Sequence, residues 1–133
     1  MRWQLEETVG EFGRLIGIDE LVLSDRGSVA LEIDRVGTLN IEIVGERDER
    51  VAVSMSRRYR EPFPESASRL ALEHSHYRAS RSFPVHAALA GGGYLAFAIC
   101  LDTGELSAQN IYNIIDYLDG LHESIGRVAT RES

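Results

Sequence analysis

At 133 residues the chain has room for one well-cored domain and not for two. Its 44% hydrophobic, 26% charged and 8% aromatic residues exclude a disordered, collagenous or low-complexity chain, and no apolar run reaches the roughly 18 residues of a membrane span. Fourteen Arg and no Lys stand against twenty-one acids, and a net charge of −7 opposes the phosphate neutralisation on which nucleic-acid binding depends.

Between 3 and 16, Leu5, Val9, Phe12, Leu15 and Ile16 recur at helical spacing while Glu6, Glu7, Glu11 and Arg14 take the other side, which predicts an amphipathic first helix stopped at Gly17. Leu21-Val22-Leu23 reads as a short extended piece before the turn residues Asp25-Arg26-Gly27-Ser28. Alternation with period two then predicts three strands. Val29, Leu31 and Ile33 oppose Ala30 and Glu32; Leu39, Ile41 and Ile43 oppose Asn40 and Glu42; Val51, Val53 and Met55 oppose Ala52 and Ser54. Short turn-rich connections make them an antiparallel meander. Pro62 and Pro64 break the chain after Arg57-Arg58-Tyr59-Arg60, and Ala67, Leu70, Ala71, His74 and Tyr77 predict a second helix over 65–77. A strand over 84–89, a Gly91-Gly92-Gly93 turn and an almost uninterrupted apolar strand over 94–101 follow, the last expected to be buried on both faces near the sheet centre. Ser107 can cap a closing helix whose Ile111, Ile114, Ile115, Leu118, Leu121, Ile125 and Val128 form the strongest periodic signal. The expected fold is α+β over a single domain, 1–133: helix, three strands, helix, two strands, helix, with a twisted antiparallel sheet and the helices on one side.

The sequence carries no convincing catalytic constellation. His74, His76, His86 and His122 do not converge as metal ligands must, so solvated or edge-packed histidines account for them and no metal is expected. Ser75, His86 and Asp102 make a triad only on paper, since no nucleophile-elbow pattern surrounds a serine. The glycine run leads into a strand and not into a helix N-terminus, so a hairpin turn explains it better than a phosphate cradle. Glu32 and Glu42 face the same way on neighbouring strands, as a catalytic pair or as an ordinary solvated face. Cys100 cannot form an internal disulfide and sits in an apolar run as a small hydrophobe. Residues 1–46 carry four Arg against ten acids and 47–81 carry eight against five, so an acidic surface surrounds one basic belt. Arg57, Arg58 and Arg60 of that belt either grip an acidic partner or nucleic acid, or lie solvated beside a strand end. The N-terminus turns acidic at Glu6 and Glu7 where a secretion signal becomes apolar, and the cytoplasm is the expected compartment. What remains is more apolar surface than three helices over one sheet face require, the mark of a binding protein.

The order of elements resembles that of the class I type III secretion chaperones, the small acidic homodimers related to the Tir chaperone family. The likeness runs through Arg14-Leu15-Ile16-Gly17-Ile18-Asp19-Glu20 and Val29-Ala30-Leu31-Glu32-Ile33-Asp34, the short helix Ser68-Arg69-Leu70-Ala71-Leu72-Glu73, and the strand 94–101 with its Asp102-Thr103-Gly104-Glu105 turn and long closing helix. His74-Ser75-His76 and the glycine run depart from the pattern. The resemblance implies a chaperone that uses no ATP or other cofactor and holds the N-terminal part of a secreted effector non-globular. The effector would add a strand to a sheet edge and place a short helix in an apolar groove. It would place Leu5, Phe12, Leu15, Leu21, Leu23, Leu31 and Ile33 in that groove, and Leu70, His74, Val85, Ala87 and Leu89 at a homodimer interface. Nucleic acid and membrane insertion are not expected. Two alternatives stay open: a dimeric enzyme with an interface site near His74, His86 and Tyr94, and a regulator of the same fold that sequesters a transcriptional regulator.

Overall fold

The computed structural model describes residues 2–18, 21–33, 37–45, 50–59, 69, 85–90 and 93–132. Within them lie helix α1 (Arg2–Leu15), strands β1 (Ser28–Ile33), β2 (Gly37–Val44), β3 (Arg50–Arg58), β4 (His86–Ala90) and β5 (Tyr94–Asp102), a short 3-10 turn (Thr103–Glu105) and helix α2 (Ala108–Glu132). The helix expected over 65–77 falls outside the described residues apart from Arg69. No described helix is long and apolar enough to cross a membrane.

The five strands form one antiparallel sheet in the order β1-β2-β3-β5-β4. The meander is as expected, but β5 returns between β3 and β4 and leaves β4 on the edge opposite β1. Leu39 and Ile41 of β2, Val51, Val53 and Met55 of β3, and Leu95, Phe97, Ile99 and Leu101 of β5 point to one face, where they meet Leu5, Val9 and Phe12 of α1 and Ile111, Leu118 and Ile125 of α2 in a single core. The other face is floored by small side chains: Ala52 and Ser54 of β3 stand opposite Cys100 and Ala98 of β5. This corrects the expectation that β5 is buried on both faces. Its run is apolar because Ala96, Ala98 and Cys100 occupy the second face, where they are only half-buried.

Local chemistry sets the helix ends. At the end of α1 the Ile18 amide donates to the Gly13 carbonyl at 2.7 Å and the Gly17 amide to the Arg14 carbonyl at 3.3 Å, with Gly17 at φ 83°. These paired bonds satisfy carbonyls that the helix leaves open, in a backbone conformation only glycine adopts without strain. Ser107 caps α2 as expected: its Oγ accepts from the Asn110 amide at 3.0 Å.

Candidate partner-binding surface

Burial falls off toward one rim of the molecule. The core-facing side chains of β2, β3 and β5 are almost wholly enclosed, whereas Val29, Leu31 and Ile33 of β1 point to the same face and stay only half-buried. Among the described residues, the helix layer therefore stops short of the β1 rim. On the segment that leads from α1 toward β1, Leu15 is 57% exposed and Val22 is 66% exposed, with Leu21, Ile16 and Ile18 half-buried. A cleft of about 530 Å³ opens between the end of α1 and the start of α2, lined by Glu11, Arg14, Leu15, Ser107, Ala108 and Gln109. Apolar side chains left uncovered beside such a cleft form a surface that a partner's apolar face can cover.

The structure divides the expected groove residues. Leu5, Phe12 and Leu23 are buried and hold α1 and the following segment to the core. Leu15 is exposed, and Leu21, Leu31 and Ile33 line the half-buried rim. Val22 belongs with them although the sequence reading singled out its neighbours; in an extended piece Leu23 faces inward and Val22 must face out. Of the expected interface residues, Val85 is buried, Ala87 is half-buried on the core face opposite Phe97, and Leu70, His74 and the Leu89 side chain lie outside the described residues.

The other sequence candidates are separated. Glu32 lies opposite Thr38 and Glu42 opposite Ser28, so the two acids sit at opposite ends of the β1–β2 ladder, about 13 Å apart along the strands and too far to share a proton. Asp102 pairs with Arg50 at 3.4 Å, and His86 lies opposite Ala98, four positions along β5. Ser75 is outside the described residues. Among the described residues no group of three metal-ligating side chains forms.

His122 corrects the expectation of solvated or edge-packed histidines. It is fully buried on α2: its Nε2 donates to the Met55 carbonyl at 2.9 Å, its Nδ1 accepts from the Tyr59 hydroxyl at 2.7 Å, and its ring meets Phe97 edge-on. Burial pushes its pKa down to about 4, against the Met55 hydrogen bond, and burial likewise pushes Tyr59 up to about 12. Beside the pair, Arg57 bonds Asp119 at 2.7 Å and Glu123 at 3.1 Å. The end of β3 is thus tied to α2, and Arg57 is a structural clamp and no part of a solvated loop. The signal in the sequence was position: His122 falls four residues after Leu118 on the apolar stripe of α2.

No family model matches the chain, and no curated protein matches it by sequence. Solved structures do match in fold. A chain of the HopA1–SchA chaperone–effector complex superposes with a TM-score of 0.70 at 17% identity, over 99% of this chain and 96% of that one. A chain of the ExsC–ExsE complex gives 0.69 at 17% identity, over 91% and 95%. The Yersinia pestis complex of the type III secretion chaperone SycH with a stable fragment of YscM2 gives 0.67 at 14% identity, over 89% and 97%. The α+β fold of this chain is the fold found in those complexes.

Proposed function

We propose that this chain is a cytoplasmic, non-enzymatic chaperone that binds the N-terminal segment of a type III secreted effector and keeps it soluble and non-globular for export without ATP. The observation that carries the reading is a set of incompletely covered apolar side chains, Leu15 and Val22 exposed and Leu21, Leu31 and Ile33 half-buried at the margin of the core. The fold supports it, because its solved examples include a chaperone–effector complex and a type III secretion chaperone bound to a fragment of YscM2. Leu5, Phe12 and Leu23 act beneath that rim by holding its elements in place.

The chaperone works as a homodimer in this reading. His86 and Ala88, exposed on β4 on the small-residue face of the sheet, are where we place a self-complementary contact. The binding test is affinity capture from the native cell with the parent chain and with Leu15→Asp and Val22→Asp variants. A secreted protein held through its N-terminal region by the parent, and lost by folded variants, supports the proposal. Equal retention by the variants overturns the assignment of the rim.

A further inference from the structure

We infer that Gly13 is a positioning residue of the partner-binding surface: its bare backbone is the seat on which Ile18 and Leu21 rest, and that seat sets the spacing of the two exposed apolar side chains, Leu15 and Val22. That the surface holds a secreted effector rests on the chaperone reading above.

Gly13 lies one step round α1 from Phe12 and is buried, and what covers it is the chain's own return from the helix. A Cβ at this position would stand 2.8 Å from the Ile18 carbonyl oxygen, 3.0 Å from Leu21 Cβ and 3.6 Å from Leu21 Cδ2. The first two separations are shorter than van der Waals contact, and they involve a backbone oxygen and the root of a side chain, which no change of rotamer can withdraw. The same residue holds the return by hydrogen bonds, since the Gly13 carbonyl accepts from the Ile18 amide at 2.7 Å and from the Ile16 amide at 3.2 Å. Any side chain at position 13 therefore has to push the returning segment off the helix.

The consequence falls on the partner surface. Leu21 is half-buried, Val22 is 66% exposed and Leu23 is buried, the alternation of an extended piece whose inward side chains rest on the helix and the core. Leu15 belongs to α1 and stays with it, whereas Val22 travels with the segment seated on Gly13. A shift at the seat thus changes the distance between two apolar side chains that one partner has to cover together, and well-packed anchors carry most of the energy of such a contact. Gly10, on the same helix, provides the control. A Cβ there would meet Arg14 Nη1 at 3.6 Å, an ordinary contact with the tip of a flexible side chain. Alanine is the better helix former at both positions. A glycine that serves only the helix gains stability on replacement, and a seat loses its tenant.

The test compares the parent chain with Gly10→Ala and Gly13→Ala in three measurements: urea unfolding, amide hydrogen exchange, and retention of the secreted protein captured by the parent from the native cell. Gly10→Ala is expected to raise the denaturant midpoint and to match the parent in the other two. Gly13→Ala is expected to keep a cooperative transition and parental exchange at Val53 and Phe97 in the sheet. Exchange at Ile18 should rise about tenfold as its bond to the Gly13 carbonyl loosens, and the secreted protein should dissociate about fivefold faster or more. A stabilised Gly13→Ala with parental exchange at Ile18 overturns the inference, as does loss of the cooperative transition, which would make Gly13 a residue of the core. Raised exchange at Ile18 with undiminished retention overturns the positioning role and leaves the chaperone reading standing. A parent that captures no secreted protein overturns the chaperone reading, while raised exchange at Ile18 in Gly13→Ala then still supports the seat.

Discussion

Protonating His122 would place a charge among Met55, Tyr59 and Phe97 where water does not reach, and the folded state resists it until about pH 4. The unfolded chain takes up that proton near its ordinary value of 6.5. Because the folded pKa is depressed, the unfolded state binds more protons between these values, and stability must fall as pH drops from 6.5 to 4. The loss is about 1.4 kcal/mol per pH unit and roughly 3 kcal/mol in all. Urea titrations at pH 7 and pH 4.5 should show this loss in the parent, and a smaller pH dependence in His122→Gln. Phe12 and Leu15, three residues apart on α1, separate core from surface: Phe12→Asp buries a charge and should abolish cooperative folding. Leu15→Asp should shift stability by no more than about 0.5 kcal/mol in thermal unfolding, because its side chain is mostly in water already.

At the scale of elements, β2 begins where only glycine fits. Gly37 has φ 130°, and a Cβ there would run into the Ser56 carbonyl oxygen of the neighbouring strand. Gly37→Ala should therefore cost about 2 kcal/mol or more and loosen the β2–β3 start, visible as a lower denaturant midpoint. Ser107→Ala removes a side-chain acceptor at the head of α2 and should cost about 1 kcal/mol by the same measurement. The helical and alternating patterns of α1, β1, β2 and α2 were legible because each element has one apolar face. The strand β3 runs on to Arg58, beyond the apolar alternation that ends at Met55, because its last residues pair with Leu95 and Tyr94 of β5. That pairing partner lies far along the chain and leaves no local trace.

At the scale of the whole molecule, the homodimer proposal predicts twice the 14.8 kDa chain mass by light scattering at micromolar concentration. Ala88→Arg is the variant to use, since Ala88 is exposed on β4 while Ala87 faces the core; it should move the mass toward the monomer without loss of the circular dichroism of the fold. A monomeric parent would refute the dimer and leave the rim intact as a binding surface.

By itself the sequence determined the class of fold, the strand pairing within β1–β2–β3 and the two described helices, all of which follow from local periodicity, turn residues and caps. It also announced a surplus of apolar side chains. Only the tertiary structure decided which of those side chains are surplus. Leu5, Phe12 and Leu15 share one helical stripe, and Leu21, Val22 and Leu23 one extended piece, so nothing in their spacing says where the helix layer ends. The insertion of β5 between β3 and β4 and the burial of His122 against Met55 were likewise settled by contacts between distant segments. Burial belongs to the packed chain, and no residue carries it alone.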